Sequence, residues 1–249
     1  MGVWLNRLWL GWLPATDHNI LLRYPVRQRV RDLLFLVDPY KDFRFCGDKV
    51  DLRGWNGDSP VLRNLIRKLR PELVVEVGSW KGQSAVTLAR ELSAQNLVGS
   101  ELVCVDTWLG SVEFWRERDH EDGYGSLNFI HGYPSVYYTF LNNIFGESLH
   151  QIVTPFPATS WVAWKWFTER GLQADLIYID ASHEYEEVFS DIKRWSKILK
   201  PDGLIVGDDY NLSWPGVIRA YEEACDANVI ARAGVVEEKW IGRKVIRRS

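Results

Sequence analysis

The chain has 249 residues, 46% of them hydrophobic, and a net charge of −3. That is apolar material for one large core or two small ones, and the absence of a basic excess argues against a nucleic-acid partner. The three cysteines, Cys46, Cys104 and Cys225, are scattered without CxxC spacing, which excludes a zinc ribbon and a disulfide framework and fits a reducing, cytoplasmic compartment.

The N-terminal run MGVWLNRLWLGWLP is apolar, but Arg7 interrupts it and Pro14 ends it. It is too short to span a bilayer and lacks the basic start and small-residue cleavage site of a signal peptide. On a helical wheel Trp4, Leu5, Leu8, Trp9, Trp12 and Leu13 share one face. We read it as a helix packed on the domain or on a second subunit of a homo-oligomer, with membrane contact through residues 1–13 as the alternative. Residues 1–70 are expected to be an extension of helices plus a loop around DLRGWNGDSP, ahead of a main domain over 71–249.

From residue 71 short apolar runs alternate with helical patterns. ELVVEVG (72–78) reads as a buried strand, and GQSAVTLAREL follows with Ala85, Val86, Leu88, Ala89 and Leu92 at helical spacing. ELVCVD (101–106), QIVTPF, DLIYID (175–180) and LIVGDD (204–209) read as four more strands, the last entered through a KPDG turn. Val188, Ile192, Trp195 and Leu199 mark one helix, and WPGVIRAYEEACD another. Continuous apolar strands separated by helices predict an α/β fold with a doubly wound, mostly parallel sheet. Residues 109–147 show little periodicity and are expected to be an insertion that forms a lid or substrate loop. In SWVAWKWF, Trp161, Trp164 and Phe167 recur at helical spacing and are expected in the core.

Ligands of such sheets lie at the carboxyl ends of the strands. There Gly78 and Gly82 permit a tight turn before a helix whose free N–H groups lie near Gly82, Gln83 and Ser84. Asp106 stands 28 residues beyond Gly78 (106 − 78), where a carboxylate can hold ribose hydroxyls. Strand four ends in Asp180, with His183 three positions on, and strand five ends in Asp208 and Asp209. Taken singly, each could be a turn residue or a helix cap. Together they would repel unless a cation neutralised them, and carboxylates without cysteines suit a hard divalent metal. Asp208 and Asp209 reach one ion only if the chain leaves the pleat between them.

At these residues the sequence resembles the class I S-adenosylmethionine (SAM)-dependent, divalent-metal-dependent O-methyltransferases. VVEVGSWKGQSAVTLAREL is similar to the first motif of the catechol O-methyltransferases. DLIYIDASHEYEEVFSDIKRWSKILKPDGLIVGDDY resembles the branch with macrolide sugar O-methyltransferases and cephalosporin-hydroxylase-like proteins. The likeness covers about residues 70–225, without the insertion. It implies that Glu76, Gly78, Ser79, Trp80 and Ser84 lie about the methionine part of SAM. It implies Asp106 on the ribose hydroxyls, Thr107 and Trp108 beside the adenine, and the segment Pro157–Ser160, with Ala158, at its border. Asp180, also close to the cofactor, would join Asp208 and Asp209 in holding a Mg²⁺-type ion, and His183 would take the general base's place. The acceptor would be a small-molecule hydroxyl, on a sugar or glycosylated natural product. Two other readings stand beside it. A nicotinamide-dependent oxidoreductase would use the same sheet, but the glycine run is not Gly-x-Gly-x-x-Gly. A non-catalytic SAM-binding protein would leave His183 and the three aspartates without a task.

Overall fold

The structure, a computed structural model, describes residues 26–45, 50–97, 99–116 and 123–246. The apolar face of residues 1–13 lies outside these residues. Seven strands form the main sheet in the order β5-β2-β1-β6-β7-β9-β8. They are β1 (Leu73–Val77), β2 (Glu101–Asp106), β5 (Val153–Pro157), β6 (Ala174–Ile179), β7 (Leu199–Gly207), β8 (Ile230–Val236) and β9 (Lys239–Lys244). A two-stranded ribbon, β3 (Phe129–Ile130) with β4 (Tyr133–Pro134), stands apart. β5, β2, β1, β6 and β7 run parallel, while β9 pairs antiparallel with both β7 and β8. The doubly wound α/β expectation is therefore met by the parallel five, and the antiparallel hairpin extends it. The order reverses at β1, between β2 and β6, which is where such sheets open a crevice for ligand.

Period-2 alternation divides the strands between two apolar layers. Val75, Val77, Val103, Val105, Ile177 and Ile179 face α6 (Ser160–Glu169), α7 (Tyr185–Trp195) and α8 (Pro215–Asp226). Val74, Leu102, Cys104, Leu176 and Tyr178 face α2 (Pro60–Leu69), α3 (Gln83–Ala94) and α5 (Val136–Gly146). All five residues of β1 are buried, which explains why its sequence is apolar apart from Glu76. Ser59 caps α2 and Thr159 caps α6 through their side-chain oxygens. On the edge strand β5, Pro155 and Pro157 remove ladder donors and discourage a further strand.

The described part of the extension belongs to this same unit. In α1 (Val26–Leu34), buried Arg31 donates to Thr154 Oγ1 (3.0 Å) and to the carbonyls of His150 (2.6 Å) and Val153 (2.7 Å). Those bonds fasten α1 to the start of β5. No helix among the described residues is long and apolar enough to cross a membrane.

Four details differ from the sequence expectation. The insertion over 109–147 is not a lid throughout, because α5 is an ordinary crossover helix burying Val136, Phe140, Leu141 and Ile144. KPDG is not a separate turn. It is a bulge inside β7, between the pairs Ala174↔Leu199 and Leu176↔Leu204. Trp161 is exposed, while Phe167 of the same helix is fully buried. The β8–β9 hairpin has no counterpart in the predicted elements.

Candidate active site

A cavity of about 1090 Å³ opens at the carboxyl ends of β1, β2 and β6. Its floor is the turn that leaves β1. Gly78, Trp80 and Gly82 have φ of 89°, 45° and 92°. A Cβ on Gly78 would lie 2.0 Å from the carbonyl oxygen of Asp180, so only glycine lets the β1 and β6 ends approach this closely. Asp106 fastens the turn. Its Oδ2 accepts the backbone N–H of Ser79 (2.9 Å) and Trp80 (2.8 Å), and its Oδ1 accepts that of Trp108 (2.7 Å). Burial raises the Asp106 pKa, and these N–H groups pull it back down. The turn then hands the chain to α3, whose first residues, Gln83 and Ser84, line the cavity.

Of the residues expected at the site, Gly78, Ser79, Trp80, Ser84, Asp106, Thr107, Ala158, Asp180, His183 and Asp209 line this cavity. Glu76, Trp108 and Asp208 do not. Glu76 is fully buried on the α3 face of β1, where Cys104 Sγ donates to its Oε2 (3.3 Å). Burial pushes its pKa up. Trp108 does not flank the cavity as expected. Its φ of 54° folds the side chain back under the turn, where the indole N–H donates to the Trp80 carbonyl (2.8 Å). The ring packs on Tyr137 and Phe140, 4.9 Å from each.

The far end of the cavity carries the titratable groups. His183 Nε2 is 3.0 Å from Asp209 Oδ2, and the imidazole stacks on Trp214 with centroids 3.8 Å apart and planes 16° apart. Asp209 reaches the histidine because its φ of 62° takes the chain out of the pleat. Asp180 does not cap α7, whose N-cap is Glu184. It stands half-buried beside Asp208 and Asp209, and desolvation followed by those two charges drives its pKa well up.

The three aspartates do not converge as the expected metal set. Asp208 Oδ2 receives the Lys239 ammonium (2.5 Å) and lies 2.8 Å from the Tyr178 hydroxyl, while its Oδ1 accepts the Asp209 N–H (2.9 Å). The Tyr178 hydroxyl also lies 3.1 Å from Asp180 Oδ2. Among the described residues no three His, Cys, Asp or Glu side chains gather so as to hold a metal ion. The donor set therefore does not fit a divalent ion: Asp208 already serves a lysine, a phenol and a backbone amide, and Asp209 faces an imidazole.

Several cavity residues come from segments outside the expected motifs. The loop Arg53–Gly57 covers the start of α3, with the Gly57 N–H donating to Gln83 Oε1 (3.0 Å). Trp55 from this loop, Phe114 from α4 (Val112–Arg116) and Trp80 form an aromatic row, with centroids 6.0 and 4.8 Å apart. Buried Lys81 ties the same pieces together, donating to Asp51 Oδ2 (2.9 Å) and Ser126 Oγ (3.0 Å). Tyr178 was findable from sequence, since it precedes Asp180 by two and so shares its face. Lys239 had no such signal, because its partner is set by the pairing of β9 with β7.

A model of the family described as "Methyltransferase domain" matches residues 75–210. No curated protein matches the sequence. Among solved structures, an O-methyltransferase from Bacillus cereus in complex with SAH is similar with a TM-score of 0.54 and 16% identity, over 89% of this chain and 98% of that one. The O-methyltransferase TomG from Streptomyces achromogenes, involved in tomaymycin synthesis and bound to SAM, gives 0.54 and 14%, over 89% and 96%. The calicheamicin methyltransferase CalS11 gives 0.51 and 16%, over 87% and 90%. At these identities the likeness is one of fold.

Proposed function

Since this chain belongs to the methyltransferase-domain family, we propose that it is a SAM-dependent O-methyltransferase of a small-molecule hydroxyl, with His183 as general base. The observation that carries this reading is the His183–Asp209 pair, stacked on Trp214, at the far end of the cavity from the glycine turn. The turn Gly78–Ser84, Asp106 and Ala158 would hold the methyl donor. When bound, SAM supplies a methyl group activated by its sulfonium.

Methyl transfer is an in-line displacement, and most of what the protein contributes is alignment of the two reactants. Asp209 engages His183 Nε2, which fixes the proton there and leaves Nδ1 to accept one. In the transfer that SAM would supply, the acceptor hydroxyl would give its proton to Nδ1 of His183. Asp209 then stabilises the imidazolium, and the Trp214 face adds a cation–π contact. A histidine–carboxylate pair of this kind takes the proton of an aliphatic serine hydroxyl in hydrolases without a metal. It is therefore competent toward a sugar hydroxyl. Asn211, Ser213 and Glu238 offer polar contacts beside Trp214 on the cavity wall, a mixture that suits a sugar or glycosylated natural product.

Calorimetry with S-adenosylhomocysteine and with NAD tests the cofactor. Transfer of labelled methyl from SAM to a panel of glycosides and phenols tests the acceptor. Binding of NAD in place of S-adenosylhomocysteine would overturn the reading.

A further inference from the structure

We propose that the ammonium of Lys239 is the built-in cation of this site, standing where a divalent metal would otherwise neutralise the strand-end carboxylates. This deepens the reading above and rests on it, because Lys239 reaches the cavity only through Asp208 and its neighbour Asp209. The pairing of the strands carries it. β9 runs antiparallel to β7 with Val206 opposite Ile241 and Gly207 opposite Trp240. One further step of that register sets Lys239 opposite Asp208, so the two form a cross-strand charge pair on one face. Gly207 makes this possible, because a Cβ there would lie 2.1 Å from the Trp240 ring that covers it.

Burial decides what the pair is for. The Lys239 side chain is 0% exposed and that of Asp208 3%. An ammonium so enclosed must be paired, and removing its partner would leave an uncompensated buried charge. Its hydrogens go to Asp208 Oδ2 at 2.5 Å and toward the Tyr178 oxygen at 3.3 Å. With Tyr178 beside it and the Asp209 N–H on the other oxygen, Asp208 has both oxygens engaged from within the protein. A metal would have to displace a lysine whose side chain is fully enclosed.

Lys239 thereby acts as a positioning residue. It holds Asp208, Asp208 holds the backbone N–H of Asp209, and Asp209 presents its carboxylate to His183. Deprotonation of the acceptor then depends on that pair, with no Lewis acid needed.

The test titrates Mn²⁺ into the full chain, with and without S-adenosylhomocysteine, by electron paramagnetic resonance. The wild type is expected to bind no Mn²⁺ stoichiometrically in either state, and turnover is expected to survive EDTA unchanged. Lys239→Ser should open the place, so that Mn²⁺ binds once per chain and raises the variant's melting temperature. A variant that is folded by circular dichroism and still binds no Mn²⁺ would count against the lysine as the metal's substitute. One wild-type Mn²⁺ per chain, lost in Asp208→Asn, would overturn the inference whether or not the lysine variant folds. Failure to bind S-adenosylhomocysteine would overturn the methyltransferase reading instead, and the titration without it still answers for Lys239.

Discussion

The two ends of the cavity are built from different materials. The glycine-turn end is made largely of backbone: three N–H groups converge on Asp106, and positive φ angles at Gly78 and Gly82 set its shape. The histidine end is made of side chains from separate elements, with His183 ahead of α7, Asp209 after β7 and Trp214 ahead of α8. Backbone shape there rests chiefly on the glycines at 78 and 82 and on the Asp106 carboxylate, so few residues fix that end. The side-chain end depends on how strands pair and where their ends stop. The contrast predicts that changes at the histidine end alter rate and leave donor affinity intact, while changes at the turn do the reverse.

The largest effect is expected at the histidine end. His183→Ala should lower turnover by about 10²–10⁴-fold, the usual worth of a positioned general base. Binding of S-adenosylhomocysteine should stay as in the wild type, read by calorimetry on the same preparation. If the variant turns over at the wild-type rate at neutral pH, the histidine is only the polar residue at a strand-to-helix junction. The division of labour between the two ends would then be wrong.

Next comes the turn. Gly78→Ala should cost more than about 1 kcal/mol of stability, because alanine is strained at positive φ and its Cβ would meet the Asp180 carbonyl. The same shift moves the turn off Asp106, so S-adenosylhomocysteine binding should fall with the melting temperature. A variant that melts lower yet binds normally would show that the turn supports the sheet and not the donor.

How far each end could be foreseen follows the same division. Gly78, Asp106 and Asp180 announce themselves because strand periodicity places them at carboxyl ends, and Ser84 because it opens the helix after the glycine turn; the structure sets all four on one cavity. Trp108 was misplaced because sequence spacing does not reveal that φ is 54° and the ring turns inward. What holds Asp208 is hidden from the sequence for a longer-range reason. Its partner Lys239 lies 31 positions away on a hairpin whose short, mixed strands gave no alternating pattern. The crossover helix α5 is masked in the sequence because VYYTFLNNIFG mixes aromatics and asparagines, although Val136, Phe140 and Ile144 keep helical spacing. Trp161 had the right spacing but lies at the open side of α6, beyond the reach of the layer that buries Phe167.

Between the ends lies a titrating pin. Ser160, on the cavity wall, donates to Asp191 Oδ1 (2.5 Å) and accepts from the Trp195 indole N–H (2.9 Å). Burial raises the Asp191 pKa from 3.8 to about 6. The folded state therefore holds a proton that the unfolded chain has released, and stability falls as pH rises from about 4 to about 6. Above that the penalty is constant, with an upper bound of about 3 kcal/mol from a shift of about two pH units. Asp191→Asn keeps an acceptor for Ser160 and carries no charge. Its gain over the wild type should be absent near pH 4, grow to pH 6.5 and then level off, in chemical denaturation across pH. A gain that is flat across this range would remove the titration from the account.

The smallest effect should come from the aromatic row that ends on the glycine turn. Trp55 is 58% exposed, so truncating it removes little from the folded core. Its ring contributes through Phe114 and, beyond it, Trp80. An aromatic contact is worth about 0.5–1.5 kcal/mol, which converts to about a 2- to 12-fold change in an equilibrium constant. Trp55→Ala should therefore weaken S-adenosylhomocysteine binding by that factor, because the row ends on Trp80 of the glycine turn. The melting temperature of the ligand-free protein should hardly move. If donor binding is unchanged and only the acceptor's KM rises, the row roofs the histidine end alone. The extension over residues 53–57 would then belong to acceptor selection, and the boundary between the two ends would run along Trp80.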